Sequence, residues 1–102
     1  MPRVQILYFD SCPNWQEARA LVEQVARDAG VDTQVELVRV EDAEQAERLR
    51  FLGSPTIRVD GRDIEPGADT RRDYVLACRV YRRSDGTASL PPAELIGGAL
   101  TC

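Results

Sequence analysis

Val4-Gln5-Ile6-Leu7-Tyr8-Phe9-Asp10-Ser11-Cys12-Pro13-Asn14-Trp15 is the stretch on which the fold turns. From Arg3 to Phe9 the apolar side chains alternate onto both sides of an extended chain, with Val4, Ile6 and Tyr8 on one face and Leu7 and Phe9 on the other. A strand with two apolar faces belongs in the middle of a sheet. After Cys12 the period changes. Pro13 suits the first turn of a helix, and Trp15, Ala18, Val22, Val25 and Ala29 recur at helical spacing until Gly30 offers a left-handed stop. Cys12 therefore lies between a central strand and the helix, at or near the N-cap. Unpaired backbone N–H groups and the positive end of the helix dipole favour an anion there. A thiolate is the anion such a position selects, which makes Cys12 the candidate nucleophile. The plainer alternative is a small apolar cysteine buried in the core.

Downstream, Thr33 to Val40 is rich in β-branched residues and reads as a second strand, joined to the first by a right-handed βαβ crossover. Asp42 and Gln45 have the spacing of a capping box, and Ala43, Ala46, Leu49 and Leu52 give the next helix an apolar stripe ending at Gly53. Thr56 to Val59 and Arg62 to Ile64 flank Asp60-Gly61, a dipeptide suited to a tight hairpin. Between Pro66 and Leu90 the pattern weakens: Tyr74 to Tyr81 reads as a short helix or an additional strand, and Ser84-Asp85-Gly86 as a turn. Pro91 and Pro92 start a last helix through Ala93, Glu94, Leu95 and Ile96, which Gly97-Gly98 should fray. The order β-α-β-α-β-β-α predicts a three-layer α/β plan, a four-stranded mixed sheet with helices on both faces.

A chain of 102 residues, 43% apolar, holds one modest core, so a single domain over 1–102 is expected. The net charge of −4 argues against nucleic acid as a partner. A local cluster of Arg71, Arg72, Arg79, Arg82 and Arg83 is either a solvated surface or an anion subsite near the thiol. No apolar run approaches ~18 residues and the N-terminus lacks the order of a signal peptide, so a cytoplasmic protein without a membrane partner is expected. Three cysteines, an odd count, fit a reducing compartment better than a disulfide scaffold. With no histidine, and with Cys12, Cys78 and Cys102 lacking paired ligand spacing, neither a zinc site nor another cofactor is implied. Cys102 reads as a frayed terminal thiol.

The stretch Tyr8 to Trp15 at the end of the first strand, together with Ser54-Pro55-Thr56 before the third, resembles the thioredoxin superfamily. In particular it is similar to the DF family of small bacterial (seleno)proteins, some of which carry selenocysteine where Cys12 stands. The resemblance implies a thioredoxin-like fold in which Pro55 is cis and packs beside Cys12, and in which the Ser54 backbone hydrogen-bonds an extended substrate or a thiol ligand. Trp15 occupies the place of the second cysteine of a dithiol motif, so no disulfide closes within residues 12–15. Trp15 is then either a packed helix residue or a lid over the thiol. Cys78, within Ala77-Cys78-Arg79-Val80-Tyr81, is the candidate to resolve an oxidised Cys12, with Arg79 able to stabilise a thiolate; the alternative is an inert buried thiol. The chain is also similar to alkylmercury-lyase-like proteins, whose two distant cysteines and aspartate would correspond in type to Cys12, Cys78 and Asp10.

The function expected is that of a thiol oxidoreductase, in which Cys12 attacks a disulfide or is oxidised by a peroxide and Cys78 or a small thiol resolves the product. Pro13, Trp15, Ser54, Pro55, Thr56 and Arg79 form the expected substrate-facing set, and the partner is a small-molecule thiol or a disulfide-bearing protein. Two other readings stand beside it: a non-catalytic module binding through the Ser54-Pro55 edge or the arginine cluster, and thiol capture of a mercurial or soft metal.

Overall fold

The computed structural model describes residues 2–12, 14–83, 86–88 and 90–101. Strand β1 (Arg3–Tyr8) lies in the sheet interior, as its two apolar faces require. It pairs in parallel with β2 (Gln34–Arg39), from Arg3 opposite Gln34 to Tyr8 opposite Arg39. On its other side it pairs antiparallel with β3 (Thr56–Val59), which continues antiparallel into β4 (Arg62–Asp63). The result is a mixed α/β domain with a four-stranded sheet in the order β2-β1-β3-β4. Asp60 and Gly61, at φ 51° and 87°, make the tight turn between β3 and β4 that their sequence favours.

Helix α1 (Trp15–Ala29) connects β1 to β2. Gly30 ends it at φ 67°, its N–H and that of Val31 returning to Arg27 and Ala26 carbonyls. Helix α2 (Ala43–Arg48) is capped by Asp42, whose Oδ1 accepts from Gln45 N–H at 2.8 Å, while Gln45 Oε1 reaches back to Glu41 N–H at 2.8 Å. Helix α3 (Ala93–Thr101) packs beside α1 on one face of the sheet. There Val4, Ile6, Ala18, Val22, Ile57, Ile96 and Leu100 form the larger apolar cluster. Leu7, Val40, Ala46 and Phe51 form a second cluster on the opposite face, under α2.

Four sequence expectations are corrected. The last helix does not fray at Gly97-Gly98 but runs through to Thr101, because burial of Ile96 and Leu100 against α1 outweighs glycine's low propensity. Gly97 lies where a Cβ would already stand 3.6 Å from Val25 Cγ1. Helix α2 is shorter than its stripe: the chain leaves the helix after Leu49 and reverses at Arg50, φ 55°, so that Phe51 and Leu52 enter the interior as irregular chain. Tyr74 to Tyr81 is neither helix nor full strand; after a single 3-10 turn at Ala68–Thr70 the chain is irregular, with one parallel bridge between Ser54 and Cys78. Beyond it, β5 (Tyr81–Arg83) and β6 (Gly86–Ala88) pair antiparallel as a separate two-stranded ribbon that the predicted element order lacked. Of the turn expected at Ser84-Asp85-Gly86, residues 84 and 85 fall outside the described residues.

Candidate functional site

The β1-to-α1 junction and the segment before β3 meet above the sheet. Ser54 and Pro55 are joined by a cis peptide bond, and both are buried. Cys12, 0% exposed, directs its Sγ at the Ser54 carbonyl oxygen, 3.5 Å away. Asn14 occupies the N-cap of α1, without a side-chain capping bond, so the thiol lies two residues upstream, near the cap rather than at it. Thr56 is also buried, and its hydroxyl donates to Gly53 O at 2.6 Å.

Across this turn lies the irregular segment 75–80, held as a strap. Ala77 O accepts from Ser54 N–H and Ser54 O accepts from Arg79 N–H, each at 2.8 Å, while Val75 N–H donates to Phe51 O at 3.1 Å. The Tyr81 hydroxyl donates to Pro55 O at 2.6 Å. The strap approaches Gly53 so closely that a Cβ there would stand 3.0 Å from both Arg79 Cα and Arg79 Cβ, and 3.1 Å from Ala77 O. This docking brings Cys78 to Cys12: its S–H donates to Cys12 Sγ at 3.3 Å. Cys78 itself is exposed.

The two thiols are therefore unequal. The hydrogen bond to Cys12 is the largest influence raising the pKa of Cys78, followed by burial and by charge on Cys12. Cys78 keeps its proton as the donor of the pair, Cys12 Sγ accepts that hydrogen bond, and the Cys12 thiol in turn donates to Ser54 O. A thiol with a folded-state pKa above its unfolded value contributes stability that is complete below about pH 8.5 and is lost as pH rises through the folded value. Burial raises the Tyr81 hydroxyl as well, and this acts in the same sense above about pH 10. The reduced protein should thus lose unfolding free energy from about pH 8.5 upward, with Cys78→Ser flattening the first part of the fall. Urea titrations across that range measure it, and a level profile would contradict the S–H bond.

Arg79 does not face the thiols with its charge. Its guanidinium, 1% exposed, makes a two-pronged pair with Asp63 at 2.7 and 2.9 Å and reaches Glu65 at 3.1 Å and Thr56 Oγ1 at 3.2 Å. It also stacks 4.5 Å over the Tyr81 ring. Burial alone would lower its pKa, but the bonds to Asp63 and Glu65 and the neighbouring negative charge raise it, so the cation is fixed. Arg79 is a positioning residue that anchors the strap. Its Nε and the Ser54 hydroxyl are buried without a hydrogen-bond partner among the described residues.

The structure thus gathers Cys12, Cys78, Ser54, Pro55 and Thr56 into one place, with Arg79 beneath them. Trp15 is half-buried and stacked on Tyr8, ring centroids 4.5 Å apart. Pro13 and Cys102 lie outside the described residues. Asp10 pairs with Arg39 at 2.6 Å on an exposed surface. Arg71 is engaged by Asp73 at 2.7 Å and Glu65 at 3.3 Å, so the arginine cluster is partly neutralised by its own neighbours. Sequence reasoning missed Asp63, Glu65, Tyr81 and the covered face of Gly53, none of which carries a local pattern. Among the described residues no helix is long and apolar enough to cross a membrane, and no group of three or more His, Cys, Asp or Glu side chains is arranged to hold a metal.

By fold and site this is a mixed α/β domain with a paired-thiol centre beside a cis-proline turn. The chain matches no protein-family model, no curated protein and no solved structure.

Proposed function

We propose that this protein is a thioredoxin-like thiol–disulfide oxidoreductase of a reducing, cytoplasmic compartment, with Cys12 and Cys78 as its redox pair. The observation that carries the reading is the 3.3 Å approach of the two sulfurs. They lie 66 residues apart in sequence, and only a docked strap brings them within reach of a bond. The strand order β2-β1-β3-β4 and the cis bond before Pro55 support a thioredoxin-like chain path and, with the Tyr8 to Trp15 stretch, kinship with the DF family.

In the net reaction the dithiol and a disulfide R–S–S–R give the Cys12–Cys78 disulfide and two R–SH. Two electrons pass to the substrate, and the protons of both cysteines go to the departing thiolates. The sequence leads to the expectation that Cys12 attacks the substrate and Cys78 resolves it; with Cys12 buried and Cys78 exposed, the order is the reverse, Cys12 being the nucleophile of the internal step and Cys78 the sulfur it joins. A peroxide as oxidant would lead to the same internal disulfide through a sulfenic acid, with loss of water.

The test is oxidation of a Cys102→Ser background with glutathione disulfide near pH 8, read by intact mass and peptide mapping. Loss of two hydrogens with a Cys12–Cys78 link is the expected result. Both thiols staying free to alkylation after prolonged exposure would overturn the reading.

A further inference from the structure

A disulfide between Cys12 and Cys78 offers an incoming thiolate two sulfurs, and attack on either one expels the other. Their surroundings differ. Cys12 is 0% exposed and Cys78 is exposed, so a reagent arriving from solvent meets Cys78 first. The backbone edge beside Cys12 is closed as well. Ser54 spends its N–H on Ala77 O and its C=O on Arg79 N–H and the Cys12 thiol, and the strap lies so close to Gly53 that a Cβ would fit there only if the strap moved. An extended peptide carrying a cysteine finds no free edge on which to lie next to Cys12, because residues 77–79 of the protein already lie there. A small thiol needs no such edge.

We propose that Cys78 is the sulfur through which the pair exchanges with its surroundings, and that its exchange partner is a low-molecular-weight thiol. The proposal rests on the redox reading above and fixes the order of its steps. In reduction, R–S⁻ attacks Cys78 Sγ; the Cys78–S–S–R bond forms, the internal disulfide breaks and Cys12 departs as thiolate. A second R–S⁻ attacks the R-bearing sulfur, releasing R–S–S–R and Cys78, and protons from the two R–SH end on the two cysteines. Oxidation is the reverse: Cys78 gives up its proton and attacks R–S–S–R, forming Cys78–S–S–R and expelling one R–S⁻; Cys12, as thiolate, then attacks Cys78 Sγ and expels the second R–S⁻, the two cysteine protons ending on the two R–SH. The S–H bond from Cys78 to Cys12 fits this order, since a sulfur that holds its proton strongly is the poorer leaving group.

Single-cysteine proteins on the Cys102→Ser background decide it. With glutathione disulfide at about pH 8.5, Cys12→Ser should form the mixed disulfide on Cys78 at least about tenfold faster than Cys78→Ser forms it on Cys12. In urea the two should react at similar rates. Faster capture on Cys12 in the folded state would overturn the proposal while leaving the internal disulfide intact. Reduction of the oxidised protein by glutathione and by an unstructured heptapeptide with one cysteine should proceed at comparable rates. A peptide advantage beyond about tenfold would show a peptide-binding edge and overturn the assignment of a small thiol. Failure of the protein to form the internal disulfide at all is a separate result, and it would remove the redox reading itself.

Discussion

Replacing Gly53 by alanine is expected to slow closure of the Cys12–Cys78 disulfide by about 10²-fold, the scale on which a displacement near 1 Å disrupts a reacting pair. Gly53 sits at φ 114°, a conformation that costs a residue with a Cβ of order 1–3 kcal/mol. The added methyl would also meet Arg79 Cα and Cβ at 3.0 Å and Ala77 O at 3.1 Å, and the Cα and the carbonyl oxygen are backbone atoms that cannot rotate aside. The strap must rise, and with it go the two backbone bonds to Ser54 that carry Cys78 to its partner. The rest of the fold should survive. The buried residues of the two core clusters come from the four-stranded sheet and the residues flanking its strands, from the helices and from Phe51; of the strap only Leu76 packs against them, partly buried, while Val75 and Val80 are 47% and 61% exposed. The measurement is the rate of disulfide formation by stopped alkylation, with circular dichroism to confirm the fold. Cys12 should become alkylatable in the same variant. A folded Gly53→Ala protein that closes its disulfide at the parental rate would show that the strap does not position Cys78.

That dependence on one glycine explains which parts of the molecule were legible beforehand. β1, α1, the Asp42 cap and the Asp60-Gly61 hairpin each announce themselves through contacts between residues close in sequence. The strap does not. It is held by backbone pairing to Ser54 and by one ion cluster, and neither leaves a period in the sequence. Arg79 stands in a stretch with Val75, Leu76, Ala77 and Val80, where a charged side chain is expected at the surface. It is buried instead because Asp63 and Glu65, brought over by the β3–β4 hairpin, meet it there. Phe51 was hidden for a different reason. The apolar stripe continues one turn beyond the helix, to Leu52, and the reversal at Arg50, a non-glycine residue at positive φ, carries no residue-type signal. The suspicion that Cys78 serves Cys12 was legible as chemistry, from the lack of a second cysteine near the first. Its geometry required the strap.

Arg79→Met should cost about 3–5 kcal/mol of unfolding free energy, the scale for removing one partner of a buried ion pair. Methionine keeps most of the apolar stem, so the loss isolates the guanidinium rather than a cavity. Its removal strips Asp63 of its two charged hydrogen bonds, at 2.7 and 2.9 Å, and Glu65 of one at 3.1 Å; among the described residues Asp63, 11% exposed, is left with only the Glu65 N–H, and Glu65, 17% exposed, with only Arg71 at 3.3 Å. Domains of this kind have about 5–15 kcal/mol in total, so a large share of stability rests on this cluster. Urea unfolding measures the loss; a change under about 1 kcal/mol, as for a surface pair, would contradict the buried placement of Arg79. Adding Asp63→Asn and Glu65→Gln to Arg79→Met should recover part of the loss, because the unpaired charge of Asp63 and the half-paired one of Glu65 go with the carboxylates. The thiol pair gives an independent readout. Thr56, Tyr81 and the Arg79 backbone are linked through this cluster to the turn at Pro55, so the triple variant should regain stability while its disulfide still closes slowly. If closure recovered together with stability, Arg79 would be no more than a source of fold stability, and strap placement would reside in the backbone bonds alone.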